Sequence, residues 1–465
     1  MMIKRNTSRL LGALVLGVVA FVGCDELLKV ENPAEIPITD LADPQLIEVL
    51  KNGSIGDFTD MYDDPFIWRG SFFTDEQITG INWEQTARLN QRIVSFDEGD
   101  PDFMFSELSE SVRQSEDAAT RIRALIDDPG QNTNLATVLA FAGYGYTAMG
   151  EAMCEAVVSL FDADGELQFG TSLETPAQIF QRALPHYQEA ITIATAAGDA
   201  DMLNLASVGL ARAQLSLGNW QEVVDAVAAV PTDFQYWLEY SEASGSQNNI
   251  LRSRVTGSNH SLGMHPSILQ TAPGEVFGDQ DLITGQTDPR IQHTTTWTLG
   301  HNRLTQLYKP YQGLRFGEYS GLIQANGDTD LPLYDRGTNI LLADYNEAQH
   351  HRFEALGMLG GNDAAILTFV NDRRVANNQP TVTLSGAALM AELREQRKRD
   401  LFLGGFRLGD LRRWVDNGTG DFFPTGVHAN TQWGNYENAQ CFPLPIEELQ
   451  GNPNLQGVQP TRPNG

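Results

Sequence analysis

The chain has 465 residues, enough for one large domain or two to three ordinary ones. Hydrophobic residues make up 41%, with 22 Phe, 12 Tyr and 7 Trp, which supplies a sizeable core and excludes an intrinsically disordered chain. Sixty acidic residues against 31 basic ones give a formal net charge of −29, a field that repels nucleic acid and anionic headgroups alike.

The first segment is basic, then apolar. Lys4, Arg5 and Arg9 are positive, no acid precedes Asp25, and Leu10 to Val22 is almost wholly apolar. That run falls short of the roughly 20 residues needed to cross a hydrocarbon core, but it suits the h-region of a secretory signal. It closes on Phe21-Val22-Gly23-Cys24, which resembles the lipobox of bacterial lipoproteins, with Phe21 where leucine is usual. The resemblance implies that residues 1–23 leave as a signal peptide and that Cys24 is diacylglyceryl-modified and N-acylated. Several acyl chains at ~0.8 kcal/mol per buried methylene hold a protein on a membrane without a spanning helix. The mature chain then carries 28 basic and 60 acidic residues, a net of −32, so lipid and not charge tethers it. Cys154 and Cys441 remain, and in an oxidising envelope the sequence is compatible with either one disulfide or two buried thiols.

From Asp57 to Asp97 the chain is expected to be loop-like and aromatic, with Trp68, Phe72, Phe73 and Trp83. A helical scaffold is expected over about 100–230. Phe180, Ala183, Tyr187, Ala190, Ile191 and Ala194 form one apolar stripe at helical spacing, and Leu203, Ala206, Leu210, Ala213 and Leu217 another. Pro185 interrupts the earlier stripe and should kink or delay its helix. "AAGD" (196–199), "SLGN" (216–219) and "MLGGN" (358–362) each supply a glycine to end one helix and Asn or Asp to cap the next. This resembles tetratricopeptide helix-turn-helix units, though without a steady 34-residue spacing. About 231–334 is an insertion rich in Gly, Asn, Thr, Ser and Pro, with His293, Trp297, Tyr308 and Tyr311 scattered in it and a short strand expected within "QHTTTWTLGH" (292–301). Long loops of this kind inside a compact protein are usually functional or disordered. Helices resume over about 340–416, and 417–465 is a loop segment. One domain, 24–465, is expected.

Several patterns point elsewhere and fail on context. "GYGYTA" (143–148) fits Gly-x-Gly-x-x-Ala, with Asp162 and Asp164 close to 20 residues beyond, but it lies in a long apolar helical stretch without a preceding strand. Its glycines are read as close-packing positions. Glu347-Ala-Gln-His350 fits one half of a di-iron motif and has no second copy, so His350 and His351 are read as ordinary helix residues. No Gly-x-Ser-x-Gly elbow and no zinc cluster is present, and no spacing singles out a carboxylate pair among sixty. Neither enzymatic activity, a cofactor nor a metal is expected.

"REQRKRDLFLGGFRLGDLRRW" (394–414) holds seven of the 31 basic residues. Its bland reading is a basic helix with a solvated face. Arg407, Asp410 and Arg413, at steps of three, suit ion pairs with neighbouring elements. The stretch resembles the signature of the SusD/RagB family through Arg397, Arg399, Asp400, Leu401, Gly405, Arg407, Asp410, Leu411, Arg412 and Arg413, with Gln396 and Gly404 replacing the usual glutamates. "CFPLPIEELQGNPNLQ" (441–456), "DYNEAQHHRFEALGMLGGNDAAILTFVNDRR" (344–374) and "CDELLKVENP" (24–33) are also similar to that family, in its order. The resemblance implies a mostly α, SusD-like fold: a tetratricopeptide-like helix-turn-helix scaffold with long loop-rich insertions and little β. It implies a nutrient-capturing outer-membrane lipoprotein, facing outward through the acids Asp25 and Glu26, and seated on a TonB-dependent, SusC-like barrel.

Capture of a sugar requires flat aromatic faces for its C–H surface and nearby amides or carboxylates for its hydroxyls. Candidates are Trp68, Phe72, Phe73 and Trp83 in the first loop region and His293, Trp297, Tyr308 and Tyr311 in the insertion, each of which could instead anchor its loop in the core. A glycan or oligosaccharide is the expected ligand. The alternative is a structural or interaction lipoprotein that binds a peptide or protein.

Overall fold

A computed structural model describes residues 43–255, 261–269, 290–293, 298–303, 305–307, 310–312, 314–316, 335–429, 433–461 and 463. The chain divides at Leu46, and Ile47–Gly465 forms one compact unit, described below. Cys24 and the lipobox lie outside the described residues, as do Trp297 and Tyr308.

The helices are α1 (Ile47–Met61), α2 (Glu84–Asn90), α3 (Gly99–Leu125), α4 (Thr133–Ala152), α5 (Pro176–Ala197), α6 (Ala200–Ser216), α7 (Trp220–Ala226) and α8 (Leu251–Val255). After the insertion come α9 (Tyr345–Leu359), α10 (Asp363–Ala376), α11 (Gly386–Asp400), α12 (Arg407–Asp416) and α13 (Ile446–Gly451). Strands are short and pair antiparallel in twos: β1 (Gln77–Thr79) with β5 (Leu262–Met264), β2 (Leu160–Phe161) with β3 (Leu167–Gln168), and β4 (Gln235–Leu238) with β10 (Ile340–Asp344). In the insertion β6 (Gln292–His293) pairs β9 (Pro310–Gln312) and β7 (Thr298–Leu299) pairs β8 (Gln306–Leu307). The mostly α architecture with little β is as the sequence implies.

The centre is α4. Asn132 caps it by accepting from the Leu135 N–H, and every residue from Leu135 to Ala152 is buried. A helix apolar all round needs neighbours on all sides, and α4 has α1, α3, α5 and α6. Its glycines are close-packing positions, as read: a Cβ on Gly143 would stand 2.7 Å from the Tyr187 ring, and one on Gly209 of α6 would stand 2.4 Å from the same ring. Tyr187 is thus clamped between two helices with no room for a methyl group on either.

The stripe from Phe180 to Ala194 is the buried face of α5, with Ile191 half-buried. Pro185 does not delay the helix: α5 runs from Pro176 to Ala197 with the proline inside it, its start set by a Thr175–Gln178 capping box. The second stripe is corrected in part. Ala206 and Ala213 are buried, but Leu203, Leu210 and Leu217 are half-buried, because α6 packs between α4, α5, α7 and α9 and buries Leu205, Val208, Ala211 and Leu215 as well. The three glycine stops have positive φ at Gly198 (+72), Gly218 (+74) and Gly360 (+78), while only the first is followed by a capping side chain, Asp199 accepting from the Met202 N–H.

The region 57–97 is not a loop. Helix α1 enters it, a π-type turn spans Tyr62–Ile67, short helical turns carry Trp68 to Phe73, and α2 follows. Cys154 and Cys441 are joined by a disulfide with a Cα–Cα distance of 5.0 Å, beside a bridge that pairs Met153 with Phe442. It ties the end of α4 to the C-terminal segment. Among the described residues no helix is long and apolar enough to cross a membrane.

Candidate functional site

The basic stretch on α11 and α12 is mostly buried, with Arg394 half-buried. Arg397, Lys398, Arg399, Asp400, Arg407, Asp410 and Arg413 are buried, and Arg412 is half-buried. The ion pairs expected of the three-step row form: Arg407 to Asp75 at 2.6 Å, Asp410 to Arg397 at 2.7 Å, and Arg413 to Glu354 at 2.9 Å. Arg412 donates to the carbonyls of Gly150, Glu151 and Met153 and so closes the end of α4. Arg399 is close to Glu395 at 3.9 Å. Asp400 accepts from Arg290 and Arg373 at 2.8 Å and faces His350 at 2.7 Å. Burial alone would raise the Asp400 and Asp410 carboxyls, yet the guanidiniums of Arg290 and Arg397 hold both below the usual carboxylate range. These side chains lock helices together.

His350 and His351 belong to this buried network. Burial lowers both rings, and Nε2 of His351 meets Glu347 at 3.2 Å. Sequence reading placed them merely as helix residues. Among the described residues no group of three or more His, Cys, Asp or Glu side chains is set to hold a metal ion.

The ligand candidates separate. Trp68, Phe72 and Phe73 are corrected: all three are wholly buried, with Trp68 edge-on to Phe72 and Phe73 edge-on to Phe442. Helical turns, and not a loop, point them inward. His293 and Tyr311 lie on the paired strands β6 and β9. Trp83 stands apart, 45% exposed at the start of α2. Its neighbours Asn82, Glu84 and Gln85 are exposed too, so an indole is flanked at the surface by two amides and a carboxylate.

What supports Trp83 is a stack of rings and guanidiniums. The Arg254 guanidinium of α8 lies 5.7 Å from the Trp83 ring centre and 3.7 Å from that of Trp68. Arg69 lies 4.8 Å from Trp68 and 4.5 Å from Phe103, which is 36% exposed on α3. Asp64 joins the two cations by accepting from both, and Asp100 accepts from Arg69 at 2.9 Å and from the Thr86 hydroxyl at 2.8 Å. Burial lowers the Arg254 guanidinium to about 10 and lowers Arg69 as well. Trp68 therefore lies beneath: it is the floor of a ladder whose ends, Trp83 and Phe103, meet solvent. Neither Arg254 nor Phe103 carried a sequence signal, since both contacts join segments remote along the chain.

No protein-family model matches the chain, and no curated protein matches it. Solved structures do. A SusD superfamily protein from Bacteroides vulgatus is similar with a TM-score of 0.63 at 14% identity, over 90% of this chain and 99% of its own. A SusD-like carbohydrate-binding protein from Bacteroides fragilis reaches 0.65 at 13% identity, again over 90% and 99%. A SusD superfamily protein from Parabacteroides distasonis reaches 0.63 at 14%, over 90% and 98%. The chain has the SusD-like fold.

Proposed function

We propose that the protein is a lipid-anchored outer-membrane protein that captures an oligosaccharide at the cell surface and passes it, unaltered, to a TonB-dependent, SusC-like barrel. The observation that carries this reading is a SusD-like fold over 90% of the chain, shared with a protein from Bacteroides fragilis described as carbohydrate-binding. The exposed Trp83, with Asn82, Glu84 and Gln85 beside it, supports a sugar as ligand. An indole face takes the C–H side of a pyranose, and the amides and carboxylate meet its hydroxyl rim. Acylation of Cys24 supplies the anchor.

Isothermal titration of the purified protein against a panel of oligosaccharides and peptides tests the ligand class. Saturable binding of a glycan that is recovered chemically intact supports the reading. Silence across the glycans with binding of a peptide would replace it by the interaction-protein alternative. Mass spectrometry of the membrane-extracted protein tests the anchor, and an unmodified Cys24 rejects it.

A further inference from the structure

Two hollows flank one arginine. Helix α11 carries Arg394 between a cavity of about 490 Å³, whose walls include Asp75, Ala388, Ala391, Glu395, Arg407 and Phe422, and one of about 200 Å³ beside Met358, Met390 and Trp414. Arg394 lines both. Its guanidinium lies 4.9 Å from the Phe422 ring centre and 5.7 Å from that of Trp414, and those two rings meet edge to face at 5.7 Å. Phe422 is 40% exposed.

The charges around this arginine are already matched among themselves. Asp75 accepts from Arg407 and has Lys398 at 3.6 Å. Glu392 is taken by Arg374 and Gln396, and Glu395 by Lys398 at 3.4 Å and Arg399 at 3.9 Å. Trp414 donates its Nε1–H to Glu354, which also receives Arg413. Arg394, half-buried, makes no hydrogen bond and no ion pair with any described residue. Within an interior where the other guanidiniums of α11 and α12 are paired, a fork of donors is left facing an open cavity. Such a fork recognises a planar oxyanion by two parallel hydrogen bonds.

The surroundings narrow the anion. Of the two cations in the described wall, Arg407 is taken by Asp75, so Arg394 alone matches a single carboxylate where a phosphate dianion would keep an uncompensated charge. The alanine floor and the open Phe422 face call for a compact body with a C–H surface next to that carboxylate. We propose that Arg394 and Phe422 form a second ligand pocket that takes the carboxylate and ring face of a uronic-acid sugar. The choice of a sugar for the body of this ligand rests on the glycan-binding reading; the carboxylate is argued from Arg394 itself.

The test is titration with a galacturonate disaccharide, its methyl ester, inorganic phosphate and a free-carboxylate aromatic dipeptide, using wild type, Arg394→Gln, Arg394→Lys and Trp83→Ala. The expected result is binding of the disaccharide alone, weakened at least about tenfold by Arg394→Gln, less by Arg394→Lys, and little by Trp83→Ala. Arg394 makes no hydrogen bond or ion pair with a described residue and meets only the Phe422 and Trp414 rings, so its variants should melt close to the wild type, and Arg394→Lys, which keeps the charge, separates loss of binding from loss of structure. Uronate binding that depends on Trp83 and ignores Arg394 overturns the pocket and leaves the glycan reading standing. Arg394-dependent binding of phosphate or of the dipeptide, in place of the uronate, overturns the ligand class. Failure of the disaccharide to bind overturns the pocket, and silence across the wider oligosaccharide panel as well overturns the glycan reading with it.

Discussion

Arg212 on α6 closes on Glu151 of α4 through two parallel hydrogen bonds, 2.8 Å from Nε and 2.6 Å from Nη2, with both side chains 4% exposed. Arg212 also donates to the Gly405 carbonyl at 3.0 Å and lies 4.2 Å from the Phe406 ring centre. One guanidinium thus joins the helical scaffold to the turn between α11 and α12. Glu151→Ala leaves a buried cation without its partner and should cost about 3–5 kcal/mol in urea denaturation. Arg212→Ala/Glu151→Ala should cost less than the sum of the two single changes, because no charge is then stranded.

The clamp on Tyr187 gives a steric prediction. Gly209→Ala places a methyl 2.4 Å from the ring, which must move, and it cannot move toward Gly143. Overpacking of this kind costs about 1–3 kcal/mol, against the roughly 0.8–1 kcal/mol that alanine gains over glycine in a helix interior. A rise in the denaturation midpoint would show that the ring has room.

The bond between Cys154 and Cys441 spans 287 positions of sequence. Replacing both by alanine should lower stability by about 2–4 kcal/mol, chiefly by freeing the unfolded chain. Two free thiols in the unreduced, denatured protein would contradict the bond.

Two buried groups set opposite slopes of stability with pH. Burial pushes the Glu76 carboxyl up from 4.5 to about 8, and its Oε1 accepts from the Leu403 N–H. Between those values the folded protein keeps a proton that the unfolded chain has lost, so this contribution is complete below 4.5 and fades as pH rises through 8. Burial lowers the His265 ring from 6.5 to about 4, so its contribution holds above 6.5 and fades as pH falls toward 4. Glu76→Gln keeps the acceptor for Leu403 and removes the titration. Above pH 6.5 the His265 contribution is nearly flat, so between pH 6.5 and 8 the urea midpoint of Glu76→Gln should change less than that of the wild type, which falls.

Trp83→Ala should weaken a neutral glycan about tenfold, or ~1.4 kcal/mol, while leaving the melting temperature near that of the wild type. Trp68→Ala should do the reverse in emphasis: it empties the floor of the ladder and costs about 3–5 kcal/mol of stability. Equal effects on binding and melting from both changes would remove the distinction between surface and floor.

The sequence makes some of this architecture legible and hides the rest for physical reasons. The α5 stripe is readable because one face of that helix is buried and the other is not. Periodicity fails for α6, which is covered on several sides, and for α1, whose "IEVLKNGSIGDFTDM" buries only Ser54, Phe58, Thr59 and Met61. The family-like motif at 394–414 reveals the fold, yet its chemistry reads as a solvated helix until Glu354, Asp75 and Glu151 arrive from distant segments. Trp68 and Trp83 look alike as residue types in one aromatic region. Their neighbours differ: Phe66 and Ile67 precede the buried ring, and Asn82 and Glu84 flank the exposed one. That contrast was the available signal. Arg394 had none, because what distinguishes it is that, among the described residues, no carboxylate pairs with it as one does with Arg397, Arg407 and Arg413.

Among the described residues twelve basic and eleven acidic side chains are buried, so the interior is close to electroneutral. Cations are scarce in this chain and a large share of them is spent inside, which strips the exterior of its few positive groups. The solvent-facing shell is consequently more anionic than composition suggests. Copies crowded side by side would repel one another like charged colloids, over a range of about 8–10 Å at ordinary ionic strength.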